Sequence, residues 1–274
     1  MNRTGVMTVA RDEEATIAFV IGAALPHVDH YTYIDTGSKD NSLKIVNTLF
    51  DKEIKDGKLS VVDFPIGIEI YRAREIALAN LRDAGIDFFF VLDGDDVCFD
   101  KTIAQAVAGP CQSPIDQVNN IWVPSFELYQ YKAETSKEWL AGIQKKDLKF
   151  YEMTKHQGQF YVYARPTRIQ NVHDAYAKGN WTDESNGLTP EGVFHKVARA
   201  EARWDVKLSA HYGWARPMAE KRAKAAIRYG DRSRWTERIE KLHEHPHHIL
   251  RGLIPFANHP EIFSRLGKQV MELL

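Results

Sequence analysis

The sequence has two cysteines, Cys98 and Cys111, in 274 residues. That number and spacing exclude a disulfide framework and a cysteine-ligated zinc site, and Cys98 is expected to pack as a small apolar side chain. Long apolar runs are also missing. The longest, "IAFVIGAALP" (17–26) and "FFFVL" (88–92), fall well short of the ~20 residues that a helix needs to cross a bilayer. The opening "MNRTGVMTVARDEEA" lacks the basic-then-apolar order of a secretory signal, so a cytoplasmic protein with no transmembrane segment is expected. No Gly-rich phosphate loop follows the first apolar stretch, which argues against a nucleotidyltransferase. Net charge is nearly absent, at −1, but it is unevenly spread. Residues 216–274 carry 12 Lys and Arg against 7 Asp and Glu, which leaves −6 for residues 1–215. The last fifth is therefore a solvated basic face or a surface for an anionic partner.

What is present suits a folded protein with a real core: 44% hydrophobic and 27% charged residues, in a chain long enough for one large α/β domain or one domain with an appendage. Periodicity in the first half alternates between strand and helix. "GVMTVA" (5–10) is a short apolar strand, "EEATIAFVIGAAL" (13–25) a helix, "HYTYID" (30–35) a strand and "DNSLKIVNTLFDKEI" (40–54) an amphipathic helix. "LSVVDF" (59–64), "IYRAREIALANLRDAG" (70–85, closed by Gly85) and "IDFFFVL" (86–92) continue the order. Repeated βα units predict an α/β fold, a mostly parallel sheet flanked by helices, with ligands bound beyond the carboxyl ends of the strands. Asp35 and Asp93 both fall at such ends. Beyond residue 115, "VNNIWVPSFELYQY" (118–131) and "QFYVYARP" (159–166) read as strands, and "YAKGNWTDESNGLTPEG" (176–192) as a loop with three glycines. From Met218 the sequence reads as helical, interrupted near Gly230, with short helices after Pro246 and Pro260.

In "FFFVLDGDDVCFD" (88–100) an apolar strand runs directly into Asp93, Asp95 and Asp96. Like charges so close oppose one another's ionisation unless a cation sits among them. A polar turn explains one Asp-Gly pair; three acids ask for more. From Phe89 to Val97 the stretch resembles the signature of haloacid-dehalogenase phosphatases, which would make Asp93 a nucleophile and Asp95 an acid/base. That chemistry needs a second acidic pair downstream. None of the required form follows position 97, "GDRSRW" (230–235) lacks its second Asp, and three βα units precede the signature instead of following it.

A second resemblance covers more of the chain. "MTVARDEEATIAFVIGAALPHVDHYTYIDTGSKDNSLKIV" (7–46) resembles the opening of glycosyltransferase family 2: a strand, an Asn-Glu or Asp-Glu pair, a helix, then a strand ending in Asp-x-Gly-Ser-x-Asp. "YRAREIALANLRDAGIDFFFVLDGDD" (71–96) is similar to the family's Ala-Arg-Asn helix and Asp-x-Asp strand end. In the second half, "NVHDAY" (171–176) and "SAHYGWARPMAEKRAK" (209–224) resemble the Val-His-Glu and His-Tyr-x-Trp elements of some members, lipopolysaccharide-core transferases among them. Asp174 stands in place of Glu, and Glu75 in place of Asn.

That resemblance implies a GT-A-type fold with a helical C-terminal extension, and a metal-dependent, inverting glycosyltransferase whose donor is a nucleoside diphosphate sugar, UDP foremost. A catalytically inactive nucleotide-sugar binding protein is the alternative, with the phosphatase below it. The implied division is a catalytic domain over 1–215, with a donor half of about 1–115 and an acceptor half of about 116–215, and a helical region over 216–274 whose helices are candidates for a homo-oligomer contact. Asp95 and His211 are implied metal ligands. Asp93 would contact the ribose or share the metal through water, beside Gly94, with Asp96 behind them. Asp35 would accept a hydrogen bond from the base, and Ala10 and Glu13 would line the same crevice. Arg74 meets phosphate as a charge-assisted donor or forms an exposed helix salt bridge. Asp174 is the implied catalytic base, ahead of Asp183, Glu184 and Glu191 in the glycine-containing loop. An imidazole among oxygen ligands favours manganese over magnesium. His211 and the basic helix from Met218 are expected to close over the diphosphate, whereas "HEHPHH" (243–248) reads as surface with incidental metal affinity. The acceptor stays open among a saccharide, a lipid-linked saccharide, a protein and a nucleic acid.

Overall fold

The computed structural model describes residues 1–65, 68, 70–112, 120–130, 133–153, 158–164, 201–203, 209–222, 250–254 and 260–274. Four strands, β1 (Thr4–Ala10), β2 (His30–Asp35), β3 (Leu59–Asp63) and β4 (Phe88–Val91), lie in the order β4–β1–β2–β3 and are all parallel. They are joined by α1 (Ile17–Ala24), α2 (Ser42–Leu49), α3 (Asp51–Lys55) and α4 (Ile70–Asp83). The alternation of strand side chains sorts the core into two faces. Met7, Ile34 and Phe89 pack under Ala73, Ala77, Leu78 and Leu81 of α4, whereas Val6, Phe88 and Phe90 join the larger cluster on the other face.

Two helix boundaries differ from the periodicity. The helix expected over 13–25 starts at Ile17, because Asp12 takes a left-handed backbone (φ 54°) and residues 11–16 form a loop instead of a first turn. The helix expected over 40–54 breaks at Phe50, whose ring enters the core.

The sheet continues through antiparallel strands. The full path is β11–β7–β6–β8–β4–β1–β2–β3, with β6 (Asn120–Tyr129), β7 (Phe150–Met153), β8 (Gly158–Ala164) and β11 (Leu250–Ile254). A three-residue β9 (Glu201–Arg203) pairs with β6. Between β4 and β6 lie a short β5 (Asp96–Cys98) and α5 (Asp100–Ala108). β10 (Ser209–Trp214) runs antiparallel to β5 and parallel to β6, with His211 in register with Asp96. Neither β5 nor α5 was expected. Nor was α6 (Ser136–Lys145), although its start is legible: Thr135 accepts from the Glu138 amide and Glu138 reaches back to the Thr135 amide, the Thr-x-x-Glu capping box. Residues 250–254 correct the helix expected after Pro246. They form a strand because β7 offers an open edge whose backbone groups need partners.

After Pro260 the expected helix is present as α7 (Ile262–Leu273), laid against α1 and α6. Its approach to α1 is close: a Cβ on Gly22 would sit 2.6 Å from Leu266 Cδ1. Phe263 inserts among Phe19, Trp139 and Tyr212, with ring centroids 4.4, 5.8 and 5.3 Å away. Phe263→Ala is expected to lower unfolding free energy by about 3–5 kcal/mol, the cost of a buried aromatic cavity, as read by denaturant titration. Tyr212 directly follows His211 on β10, so this cluster also supports the site from below. Among the described residues no helix is long and apolar enough to cross a membrane.

Candidate active site

The carboxyl ends of β1, β2 and β4 meet at one edge, and the loops leaving them are tied to each other. Asp35 ends β2, is 1% exposed, and accepts four hydrogen bonds: Tyr33 hydroxyl at 2.7 Å, the amides of Gly37 and Ser38 at 2.9 and 2.7 Å, and Ser38 Oγ at 2.6 Å. Gly37 supplies the positive φ of 88° that this turn requires. Burial, then the Asp35 charge, keeps the Tyr33 phenol protonated, so it remains a donor. The next loop is clasped to this turn: the Asp12 amide donates to Ser38 Oγ, the Glu13 amide to Ser42 Oγ and the Glu14 amide to Asp40. Glu13 is thereby held, 6% exposed, at the end of β1 beside Ala10.

The acidic turn after β4 is equally constrained. Asp96 donates its amide to the Asp93 carbonyl, and the Asp93 amide donates to Asp96 Oδ2, both at 3.1 Å. Thr16 Oγ1 donates to the Gly94 carbonyl at 2.8 Å. Gly94 has no room for a side chain: a Cβ would lie 2.7 Å from both Ala10 Cβ and Glu13 Cγ. Gly94→Ala is therefore expected to push the acidic turn away from Glu13, costing about 1–3 kcal/mol by overpacking. A thermal melt of the full chain reads that loss.

Two residues of the 209–222 segment complete the site. His211 Nδ1 lies 2.9 Å from Asp96 Oδ1 and 3.5 Å from Asp95 Oδ1. Arg216 Nη1 lies 3.0 Å from Glu13 Oε2, and its Nη2 donates to Asp95 Oδ2. Burial opposes the Arg216 charge, but Glu13 and Asp95 outweigh it and hold the guanidinium above its usual range. The segment is anchored through its backbone: Tyr212 N donates to the Asp95 carbonyl, Trp139 Nε1 to the Ala215 carbonyl and Gln130 Nε2 to the Arg216 carbonyl. Lys221, 4% exposed, donates an N–H from Nζ to the Gln130 carbonyl at 2.6 Å; burial, then Arg216, pushes its pKa well down.

Asp93 stands apart from its neighbours. Withdrawal from bulk water in the crevice, then the charges of Asp96 and Asp95, push its carboxyl up to about 6, against the pull of Arg74. Its side chain still keeps 59% of its surface open, so it faces a crevice that a ligand can enter. Arg74 Nη2 is 3.8 Å from Asp93 Oδ1, with its side chain 22% exposed. Asp95, Asp96 and His211 each offer one ligand atom, and these atoms lie within 4.8 Å of one another.

The structure thus brings together Ala10, Glu13, Arg74, Asp93, Gly94, Asp95 and His211, with Asp35 one turn behind them. Asp96 and Arg216 were underread. Asp96 offers an oxygen to the same cluster as Asp95 and His211, and Arg216 sits on two carboxylates, Glu13 and Asp95. The picture of an acidic triplet without internal compensation is corrected by that pairing, which no local pattern signals. Asp174 and its neighbour His173, the loop acids Asp183, Glu184 and Glu191, and the histidines of 243–248 lie outside the described residues.

A family model described as glycosyl transferase family 2 matches residues 6–166. Among curated proteins none matches this sequence. Among solved structures, S. aureus TarS 1-349 is 15% identical, covering 88% of this chain and 69% of that one, with a TM-score of 0.45. The TarS 1-349 structure in complex with UDP-GlcNAc is 17% identical over 62% of this chain, with a TM-score of 0.40. This chain spans 47% of the length of that structure. Glucosyl-3-phosphoglycerate synthase from Mycobacterium tuberculosis, solved with Mn2+ and UDP-glucose, is 16% identical over 82% of this chain and 78% of its own, with a TM-score of 0.40.

Proposed function

Because this chain belongs to glycosyl transferase family 2, we propose that it transfers a glycosyl group, with inversion, from a nucleoside diphosphate sugar to an acceptor hydroxyl, with UDP as the nucleotide and a divalent cation in the site. The observation that carries this reading is the convergence of Asp95, Asp96 and His211 at the end of β4, within 4.8 Å, beside an open Asp93. Two carboxylate oxygens and an imidazole nitrogen suit a cation of the manganese type better than magnesium, and leave positions for phosphate oxygens. The charge of the crevice supports the same fit. Four carboxylates, Glu13, Asp93, Asp95 and Asp96, face two guanidiniums, Arg74 and Arg216, leaving the two negative charges that one divalent cation neutralises.

When bound, the cation supplies Lewis-acid stabilisation of the departing diphosphate. The chain's residues bind and orient. Arg74 donates to a phosphate oxygen, Asp93 faces the ribose, and Ala10 and Glu13 border the nucleoside crevice. Asp35 acts through its turn: with its acceptor positions taken by Tyr33, Gly37 and Ser38, it fixes the backbone at the base end, and a direct bond to the base requires one of these donors to yield. The acceptor oxygen bonds to the anomeric carbon from the face opposite the diphosphate as the bond from that carbon to the diphosphate oxygen breaks. Asp174 takes the hydroxyl proton. A panel of UDP- and GDP-sugars incubated with Mn2+ tests the proposal, with water as the default acceptor. Slow, metal-dependent release of free sugar from a UDP-sugar is expected. Binding without any release would reduce the chain to a nucleotide-sugar binder, and no binding of any donor would end the reading.

A further inference from the structure

Arg216 is not placed as a freely swinging surface arginine. Its amide donates to the Tyr212 carbonyl at 2.8 Å, its carbonyl accepts from Gln130 Nε2 at 2.8 Å, and its Nε donates to the Gly213 carbonyl at 3.0 Å. From that buried anchor the guanidinium reaches two carboxylates on separate loops, Glu13 and Asp95. The other Asp95 oxygen faces His211 Nδ1. Both oxygens of Asp95 are therefore already engaged by positive or proton-bearing groups. A divalent cation bound by Asp95, Asp96 and His211 would share one carboxylate with a guanidinium, and two cations on one carboxylate repel each other.

We propose that Arg216 stands in for the cation on Asp95 in the metal-free protein, and that metal entry is an exchange in which the guanidinium gives up Asp95 and remains on Glu13. The inference rests on the metal-dependent reading above. It makes Arg216 a positioning residue with two opposed effects: it keeps Glu13 and Asp95 in place without metal, and it lowers the affinity of the site for a bare cation. A purely structural arginine would have only the first effect.

The experiment is titration of the full chain with Mn2+ and no nucleotide, with free ion counted by electron paramagnetic resonance, alongside thermal melts. Arg216→Gln is expected to bind Mn2+ about tenfold or more tightly than the parent, the scale of one charged hydrogen bond removed from competition. Its metal-free melting temperature should fall, and Mn2+ should raise it by more than it raises that of the parent. Glu13→Gln leaves the guanidinium wholly to Asp95 and should bind Mn2+ more weakly than the parent. If the parent binds Mn2+ and Arg216→Gln binds it equally or more weakly, the exchange is wrong and the metal reading stands. If neither binds Mn2+, both fail; binding by Arg216→Gln alone supports the exchange. Should Arg216→Gln not fold, the Glu13→Gln arm decides: equal or tighter binding overturns the inference.

Discussion

In titration calorimetry, Asp95→Ala is expected to show no manganese-dependent binding of UDP. Asp95 is the residue on which the site converges: it offers a ligand oxygen, it faces His211, and it carries Arg216. Its removal leaves Asp96 and His211 as two ligands that no longer surround a cation, and a diphosphate has no metal through which to bind. The structure also sets the sign of the accompanying stability change. Deleting one acid from an uncompensated cluster would relieve repulsion and raise the melting temperature. Here the buried Arg216 loses one of the carboxylates that balance it, so the metal-free variant should be less stable by about 3–5 kcal/mol, the range for breaking a buried ion pair. Asp95→Asn, which keeps the volume, separates lost charge from lost packing. Metal-dependent UDP binding that survives in either variant at the parent affinity would remove Asp95 from the site.

Asp174→Asn should leave UDP-sugar binding intact and lower turnover by about a hundredfold or more, the scale of losing a general base. The donor site described above contains crowded carboxylates, but their surroundings commit them: Asp95 to Arg216, Asp96 to His211, Asp35 to its own turn. In the inverting transfer proposed above, the attacking hydroxyl approaches from the opposite side of the sugar and needs a base there. Asp174 follows His173 where the family resemblance implies a His-Glu pair, just after the strand-like stretch that ends near residue 166. The comparison arms are Asp183→Asn and Glu191→Gln. Parent-like turnover in Asp174→Asn, with a deficit in either of the others, moves the base to the loop. A deficit in binding as well as turnover would mean that Asp174 shapes the donor site instead.

The parallel half of the sheet was legible because each strand is a short β-rich run and each helix a 3.6-residue stripe, so burial is written into neighbouring positions. Asp35 and Asp93 were legible as strand-end acids for the same reason, whereas Glu13, and Asp95 as a metal ligand, were singled out only by resemblance to a family. What escaped notice had no local periodicity to report it. β5 is three residues long and exists because β10 pairs with it, with His211 opposite Asp96. β11 became a strand to close the open edge of β7. α6 is the exception: it carried both a readable capping box and an apolar face of Trp139, Leu140 and Ile143, so its signals were local and went unread.

The sequence alone determined that carboxylates gather at one edge of a parallel sheet, since strand direction and the acids that follow each strand are local properties of the chain. Only the tertiary structure decided how those charges are balanced. Asp95 meets an arginine 121 residues away, and Asp96 a histidine 115 residues away, because the aromatic cluster of Phe19, Trp139, Tyr212 and Phe263 seats β10 against β5. Charge compensation depends on distance in space, and a burial pattern along the chain carries no information about which distant cation will be brought within a few ångströms.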